Sequence, residues 1–91
     1  MDEPVEYPID GELDLHQFSP RDTREVVMEY IAECRRQGIT SLRIVHGKGI
    51  GVQRRIVHSL LDEHESVEGY RHEAGSGGGW GATVVDLISA E

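Results

Sequence analysis

Hydrophobic residues follow two different spacings along the chain, and the change from one spacing to the other predicts the order of the elements. Alternation or dense aliphatic runs, both typical of β-strands, occur in four segments: residues 12–16, 41–46, 67–74 and 82–88. Apolar residues at helical spacing occur in two segments: residues 20–37 and 52–64. The pattern therefore predicts the element order βαβαββ.

Both predicted helices have an apolar stripe, and the first also has signals at its ends. Ser19 stands at the N-cap position, followed by Pro20 at the first helical position and Asp22 in the first turn. Gly38 stands where the helix is expected to end. The stripes consist of Val27, Tyr30, Ile31 and Cys34 in the first helix and Ile56, Val57, Leu60 and Leu61 in the second.

The connections between the predicted strands limit the fold. A single helix that joins two neighbouring strands makes them parallel with a right-handed crossover, and two such units place both helices on one face of the sheet. We therefore predict an α/β two-layer sandwich of the α+β type, with a four-stranded mixed sheet, two helices on one face, and the other face open. A chain of 91 residues holds one such domain. We assign residues 12–91 to it and residues 1–11 to an acidic, proline-containing N-terminal extension.

Composition indicates where in the cell this domain is expected. The single cysteine, Cys34, cannot form an internal disulfide, so a cytoplasmic location is the default expectation. No apolar stretch approaches the ~20 residues that span a bilayer. The N-terminus is acidic rather than basic and then apolar, unlike a secretory signal. We expect neither membrane insertion nor secretion.

The net charge of −8 argues against nucleic acid as a partner until the charges are placed along the chain. Residues 1–12 contain five acids and no base, whereas the span between Glu33 and Asp62 contains no acid. Six bases lie inside that span: Arg35, Arg36, Arg43, Lys48, Arg54 and Arg55. Such a run is either ordinary solvated surface or a locally positive region. Its coincidence with a glycine-rich segment favours an anion site.

That glycine-rich segment, IVHGKGIG at residues 44–51, leads from a predicted strand into a predicted helix. At a helix N-terminus, unpaired backbone N–H groups and the positive end of the helix dipole favour an anion. Gly47, Gly49 and Gly51 let the main chain approach a phosphate without Cβ clashes. Lys48 adds a positive charge. The segment has neither the Walker A pattern nor the dinucleotide fingerprint, so we predict a phosphate-binding loop and no nucleotide cofactor.

Two histidines stand at the ends of neighbouring predicted strands. His16 closes the first strand and His46 the second, so both lie at the carboxyl edge of the sheet, where open α/β sheets bind ligands. Either ring could act as a general acid or base near neutral pH. Asp14 could orient the His16 ring or bind a divalent cation such as Mg²⁺ or Mn²⁺. Strand alternation puts His46 on the face of Leu42 and Ile44 and His16 on the face of Asp14, so the two rings could point to opposite sides.

Three stretches, LDLH at 13–16, HGKGIG at 46–51 and GGWGATVVDL at 78–87, resemble the motifs of the Smr domain, the small MutS-related module, here in its stand-alone form. The likeness covers roughly residues 9–88. It implies a βαβαββ sandwich similar to the C-terminal domain of translation initiation factor three, and an endonuclease that nicks or cleaves DNA or RNA. By position, the resemblance carries family roles over to Asp14 and His16 from the first motif and to His46, Gly47, Lys48, Gly49 and Gly51 from the second. Gln17 stands where the first motif commonly continues with glycine.

Three further residues are weaker candidates for contact with nucleic acid. Arg54 and Arg55 could contact a backbone phosphate or be ordinary helix-surface charges. Trp80 could stack on an unpaired base or fold back onto the sheet. Two functions therefore stay open. One is an endonuclease, metal-assisted or metal-independent, acting on single-stranded or structured nucleic acid with His46 or His16 as acid or base. The other is a binding module without turnover that uses the same loop for nucleic acid or an acidic partner, and a protein partner could supply targeting.

Overall fold

A computed structural model of the chain describes residues 9–47, 51–73 and 81–89, which form six elements. In chain order these are β1 (Glu12–Asp14), α1 (Pro20–Arg36), β2 (Ser41–Val45), α2 (Val52–Glu63), β3 (Val67–His72) and β4 (Ala82–Leu87). The predicted order βαβαββ is confirmed. Each strand ends one or two residues earlier than predicted, so His16 and His46 lie just beyond β1 and β2. Neither helix is long and apolar enough to cross a membrane, as far as the chain is described.

The sheet is mixed, with the strand order β1-β2-β4-β3. β1 pairs with β2 in parallel, with Leu13 opposite Ile44, as expected for strands joined through a helix. β4 lies between β2 and β3 and runs antiparallel to both. The predicted four-stranded mixed sheet with two helices is confirmed, while the likeness to the C-terminal domain of translation initiation factor three stays a prediction.

The core lies between the sheet and the two helices. Its buried residues come from both predicted helical stripes and from the inward-facing rows of the strands: Leu15, Val27, Ile31, Cys34, Leu42, Ile44, Val57, Leu60, Leu61, Val85 and Leu87. Burial, the largest cause, raises the pKa of the Cys34 thiol to about 11. The thiol therefore stays protonated at neutral pH and acts as a small apolar group.

The ends of α1 follow the sequence signals with one difference. Ser19 has the extended backbone of an N-cap, but its hydroxyl donates to the Asp22 carboxylate at 3.1 Å instead of accepting from a backbone N–H. At the other end, Gly38 has a φ of +80°. Its N–H and that of Ile39 donate back to carbonyls in the last turn of α1, which is the Schellman arrangement. This arrangement needs a left-handed residue, and glycine adopts that conformation at the lowest cost.

The N-terminal boundary of the domain falls close to the first described residues. Ile9 packs against the core, and the Gly11 carbonyl accepts a hydrogen bond from the Arg43 N–H at 2.7 Å. Residues 1–8 lie outside the described part of the chain. The division of the chain into residues 1–11 and 12–91 therefore stays a prediction.

The face of the sheet away from the helices carries charged side chains that are paired. Arg43 of β2 forms ion pairs with Glu12 of β1 and with Glu73, which follows β3. Arg71 of β3 pairs with Asp86 of β4 at 3.1 Å. These pairs combine opposite charges, so the described part of this face is not a uniformly positive surface for nucleic acid.

The six bases that cluster in the sequence do not gather around the glycine-rich segment. Two of them end α1 and therefore lie near the start of β2, roughly 17 Å of strand from Gly47 at its end. A third, Arg43, is held by two carboxylates. The expected positive region therefore depends on Arg54 and Arg55 in the first turn of α2 and on Lys48, which lies outside the described residues.

Candidate active site

Asp14 and His16 form a side-chain pair at the end of β1. The Asp14 Oδ1 atom accepts from the His16 backbone N–H at 2.9 Å and lies 2.7 Å from the His16 Nδ1 atom. The bond from the backbone N–H is the largest cause that lowers the pKa of the Asp14 carboxyl. Because an ionised carboxylate only accepts hydrogen bonds, the hydrogen of the pair lies on Nδ1, and the neutral ring presents Nε2 as an acceptor. This is the geometry of a carboxylate that orients an imidazole and fixes its tautomer.

Gln17, which departs from the family motif, lies in the turn directly after this pair. In the described ranges no residue other than glycine has a positive φ. Gln17 therefore adopts its turn conformation without the backbone strain that a glycine would relieve. The departure does not disturb the contact between Asp14 and His16.

The His16 ring lies against the main chain that follows β2. A Cβ atom built on Gly47 would lie 3.1 Å from the His16 Nε2 atom, which is closer than an ordinary contact. Gly47 also has a φ of +82°. Its N–H and that of His46 both donate to the Gly81 carbonyl, at 2.9 and 2.8 Å. Glycine is thus favoured at position 47 both by the backbone conformation and by the neighbouring ring.

A groove of about 330 Å³ opens beside this ring. It is lined by His16, Arg43, Val45, Gly47, Glu73, Gly81 and Ala82. Three of these seven residues are glycine or alanine, which lets a ligand approach the backbone closely there. A phosphodiester group in this groove would meet the His16 ring nitrogen Nε2 and the Arg43 guanidinium, which is already paired with Glu12 and Glu73.

The first turn of α2 begins without a side-chain cap. Gly51, the N-cap residue, has a φ of 82° and no side chain that could accept from the first N–H groups of the helix, and the first turn contains no acidic residue. Among the described residues no side chain caps these N–H groups, and N–H groups at such a helix start can bind an anion. The Arg54 Nη2 atom lies 3.9 Å from where a Gly51 Cβ would be, and Arg55 follows it on the same turn. Three other predicted binding residues lie outside the described part of the chain: Lys48, Gly49 and Trp80.

Gln53 ties the first turn of α2 to the segment that carries His16. Its Nε2 atom lies 3.3 Å from the Leu15 carbonyl, 2.9 Å from the Phe18 carbonyl and 3.2 Å from the Thr23 hydroxyl. The side chain thus holds the start of the helix beside the turn after β1. Sequence reasoning does not find Gln53, because a glutamine in a first helical turn has the pattern of an ordinary surface residue.

His46 lies on the opposite side of the main chain from His16. It is only 6% exposed, and its Nε2 and Nδ1 atoms lie 2.8 Å from the Thr83 hydroxyl and 3.2 Å from the Gly47 carbonyl oxygen. Burial, the largest cause, lowers the pKa of His46, which favours the neutral ring. The two histidines that the sequence offers as alternatives therefore do not share one site. His16 lines the groove, and His46 faces the helices.

Donor and acceptor rules assign the hydrogens around His46. Because the Gly47 carbonyl only accepts, the hydrogen of that bond lies on His46 Nδ1, and the Nε2 atom of the neutral ring accepts from the Thr83 hydroxyl. The Thr83 oxygen also lies 2.9 Å from the His58 Nε2 atom. Since its only hydrogen points to His46, it accepts from His58. The hydrogen bonds therefore run in one direction, from His58 through Thr83 and His46 to the main chain at Gly47.

His58 and His72 extend this group into a cluster. The His58 ring centroid lies 4.8 Å from that of Tyr70, 5.0 Å from that of His72 and 6.1 Å from that of His46. Burial first, and then the neighbouring histidines and Arg54, lower the pKa of His58. Sequence spacing does not reveal the cluster, because its members come from different elements. The one available signal is a polar threonine in the otherwise apolar inward-facing row of β4.

Asp14 was also the predicted metal ligand, and the described residues do not complete a metal site around it. Within residues 9–47, 51–73 and 81–89, no group of three or more His, Cys, Asp or Glu side chains is arranged to hold a metal ion. The Asp14 Oδ1 atom already has two contacts from His16. Binding of Mg²⁺ or Mn²⁺ by Asp14 therefore stays a prediction, and the chemistry proposed below is assigned to side chains alone.

These features define a class of protein: small α+β domains with a glycine-lined groove where two parallel strands end. The family model described as the Smr domain matches residues 13–88. The chain therefore belongs to the Smr domain family, and the resemblance of its three motifs is confirmed.

Curated relatives of the chain include endonucleases of the MutS2 type. The chain is 37% identical to endonuclease MutS2 of Geobacillus thermodenitrificans and 33% identical to endonuclease MutS2 of Brevibacillus brevis, over 76 residues in each case. The matched residues are 84% of this chain and 10% of each relative. The chain therefore spans about a tenth of the length of these relatives.

Two solved structures share the fold. YdaL, a stand-alone small MutS-related protein from Escherichia coli, superposes with a TM-score of 0.80 at 28% identity, covering 92% of this chain and 69% of that one. The Smr domain of Thermus thermophilus MutS2 superposes with a TM-score of 0.79 at 32% identity, covering 86% of this chain and 98% of that domain.

Proposed function

We propose that the chain is a nucleic-acid-binding endonuclease domain that cleaves phosphodiester bonds in single-stranded or structured DNA or RNA. One observation carries the proposal: the Asp14 carboxylate contacts the His16 ring at 2.7 Å, and the opposite ring nitrogen lies beside the glycine backbone at Gly47. An oriented imidazole in a groove open to a phosphate is suited to proton transfer during cleavage. The sequence similarity of the chain to MutS2 endonucleases supports this class of activity.

His16 is the proposed proton-transfer group. Its Nε2 atom would take a proton from the attacking hydroxyl or water, or, when the ring is protonated, give one to the leaving oxygen. Asp14 is a positioning residue that holds the ring tautomer and favours the positive charge that develops on the imidazole. Neither step needs a nucleotide cofactor.

Phosphate binding is assigned to the start of α2 and the loop before it. The uncapped N–H groups after Gly51 support this assignment, because they and the helix dipole attract negative oxygens. The proposed contacts to the phosphate are Gly47, Lys48, Gly49 and Gly51, with Arg54 and Arg55 on neighbouring phosphates and Trp80 on a base.

His46 receives a different role in this proposal. Both of its ring nitrogens are occupied, and the ring would have to leave Thr83 to reach a substrate. We assign it to holding the Gly47 carbonyl, and through it the wall of the groove. Substitution of His46 is then expected to change the geometry of the site rather than remove the group that transfers protons.

Cleavage assays with labelled single-stranded RNA, labelled single-stranded DNA and supercoiled plasmid, in EDTA and in Mg²⁺ or Mn²⁺, test the proposal. We expect His16→Ala to lower the cleavage rate about 100-fold or more while nucleic-acid affinity changes by less than about twofold. His64→Ala removes an imidazole outside the groove and is the matched control. Cleavage that His16→Ala leaves unchanged under every condition would contradict the assignment.

Asp14→Ala tests the positioning role. It removes the acceptor of the His16 Nδ1 hydrogen, so the ring is no longer held in the tautomer with the hydrogen on Nδ1, and we expect kcat to fall with KM unchanged. The ¹⁵N chemical shifts of His16 report the tautomer directly. A fall in kcat without a change in these shifts would argue against a positioning role.

The second candidate function is a binding module without turnover. It is favoured by the same uncapped helix start, which binds phosphate whether or not a proton is transferred. The assay above distinguishes the two functions, because binding without cleavage of any substrate leaves only the module. The slope of log affinity against log salt concentration then gives the number of phosphates neutralised.

A further inference from the structure

A second groove, which the proposed function does not use, lies between β1 and α1. Its volume is about 710 Å³, larger than the groove of about 330 Å³ beside His16. Its apolar lining consists of Ile9, Leu13, Phe18, Val26 and Tyr30. Phe18 is 39% exposed, so a large aromatic side chain remains open to solvent here. Apolar surface of this kind, bordered by polar groups, is typical of an interaction site.

The polar lining of this β1–α1 groove has one sign of charge. Five carboxylates border it: Asp10, Glu12, Asp14, Glu29 and Glu33. Its other polar groups are the neutral Gln17 side chain and the Tyr30 hydroxyl, and no lysine or arginine is among the lining residues in the described part of the chain. Glu12 and Glu33 already have arginine partners, Arg43 and Arg36. The negative charge that can attract a further cation and repel phosphate therefore comes from Asp10, Asp14 and Glu29. The groove is therefore unsuited to the nucleic acid proposed for the opposite side of Asp14.

Backbone N–H and C=O groups at the free edge of β1 already have hydrogen-bond partners, so they are largely unavailable to an added strand. The Glu12 N–H donates to the Asp10 carboxylate at 3.1 Å, and the Glu12 carbonyl accepts from the Tyr30 hydroxyl at 3.0 Å. The Gly11 N–H donates to the same hydroxyl at 3.2 Å. A strand added to this edge would have to break these bonds. Recognition in the groove therefore depends on side chains, as when an amphipathic helix binds in an apolar groove.

We propose that the β1–α1 groove binds a basic amphipathic helical segment of a protein partner. Apolar anchors of the segment pack against Leu13, Phe18 and Val26, and its lysine and arginine side chains meet the bordering carboxylates. Two other occupants lack this complementarity. Residues 1–8 contain three acids and no base, and a second copy of the chain has a net charge of −8.

Asp14 connects this groove to the proposed active site. It lines the β1–α1 groove and at the same time contacts the His16 ring. A cation of the partner that pairs with Asp14 competes for the carboxylate that orients the ring. Binding in the groove itself does not depend on nuclease activity, so the two proposals can fail separately.

Fluorescence anisotropy with the full chain and a labelled peptide tests the groove. The probe is a helical peptide of about 18 residues with leucine on one face and lysine on the other, and its control has glutamate in place of lysine. We expect the lysine peptide to bind and the glutamate peptide not to bind. Phe18→Ala and Glu29→Lys are each expected to weaken binding about tenfold.

Two matched variants control for general attraction to an acidic protein. Met28→Ala removes an apolar side chain that is 42% exposed and lies outside the groove, and Glu25→Lys reverses a charge on α1 outside it. Both are expected to change affinity by less than about twofold. Equal weakening by the groove variants and their controls would overturn the proposal, as would unchanged binding in all four.

Amide spectra of the unaltered chain provide a measurement that does not depend on any variant folding. On addition of the lysine peptide we expect the signals of Leu13, Phe18 and Val26 to shift and that of Met28 to stay in place. Shifts elsewhere without shifts in the groove would overturn the proposal. A dimer seen by sedimentation and lost in Phe18→Ala would assign the groove to a second copy and overturn it as well.

Discussion

Two glycines with the same backbone conformation have different surroundings, and the comparison isolates what Gly47 contributes. Gly38 has a φ of +80° and Gly47 a φ of +82°. A Cβ atom on Gly38 would meet no atom within 4 Å, whereas one on Gly47 would lie 3.1 Å from the His16 ring. Backbone strain on substitution is common to both positions. Displacement of the His16 ring belongs to Gly47 alone.

We therefore expect Gly47→Ala and Gly38→Ala to lose similar stability, about 1 kcal/mol each, from the left-handed backbone. Only Gly47→Ala should move the side-chain NMR signals of His16 and lower nucleic-acid cleavage. Denaturant unfolding measures the shared effect, and histidine spectra measure the specific one. Unmoved His16 signals in Gly47→Ala would show that the ring does not contact this position in solution.

The pairing of Asp14 with His16 was expected from strand alternation, but the structure makes it in the turn after β1, where the Asp14 carboxylate accepts from the His16 backbone N–H. Strand alternation places His46 on the apolar face, so its separation from His16 could also be predicted. The hydrogen-bond partners of His46 could not be predicted. Thr83 reaches it only because β4 lies beside β2, and no local pattern specifies which strands become neighbours.

At the scale of elements, one side chain connects the start of α2 to the turn after β1. The Gln53 amide lies within hydrogen-bond distance of two carbonyls and a hydroxyl in that turn and in α1. Its removal leaves part-buried acceptors without a donor, which is the costly way to lose a hydrogen bond. The start of α2 and the His16 turn would then no longer be held together by this group.

We expect Gln53→Ala to lower the free energy of unfolding by about 1–2 kcal/mol and to weaken nucleic-acid binding. Gln37→Ala is the control, since the Gln37 amide donates to the exposed Glu33 carboxylate and its loss should cost less than about 0.5 kcal/mol. Urea unfolding of both variants gives the comparison. Equal stability of the two would contradict the role assigned to Gln53.

The elements themselves were predictable to within two residues, because hydrophobic spacing records which side of each element is buried. The hydrogen bonds at the ends of the elements were less predictable. Ser19 has the residue type and backbone of a cap, yet its hydroxyl bonds to Asp22, a choice between two nearby partners that spacing does not determine. The clustering of bases in the sequence was misleading for a related reason. Residues near in sequence are separated when a strand carries the chain across the sheet.

At the scale of the whole molecule, the histidine cluster makes folding stability depend on pH. Its rings take part in the packing of the sheet against α2. Burial lowers the pKa of His46 and of His58; the charge of Arg54 adds to this effect, and Asp62 opposes it at His58. In the unfolded chain each histidine titrates near pH 6.5. Above that pH both states hold neutral rings and no penalty arises. Below it the unfolded state takes up protons first, so stability falls until the folded-state pKa values are passed.

The free energy of unfolding in urea should therefore be lower at about pH 5 than at about pH 7.5. His58→Phe keeps a ring beside Tyr70 and His72 and removes one titrating group, so we expect a smaller loss over the same interval. The lowered pKa of the Asp14 carboxyl affects stability only below about pH 4 and does not enter this window. A pH dependence that is the same with and without His58 would exclude His58 as a cause.

The central position of β4 has a consequence for how the protein is made. β4 is the last described strand in chain order, but it supplies the pairing partner of both β2 and β3. While a ribosome is still adding the residues of β4, the nascent polypeptide has two strand edges with nothing to pair with. A product released before Ala82 would keep both edges open and is expected to self-associate. The sheet can therefore close only after the residues of β4 have been synthesised.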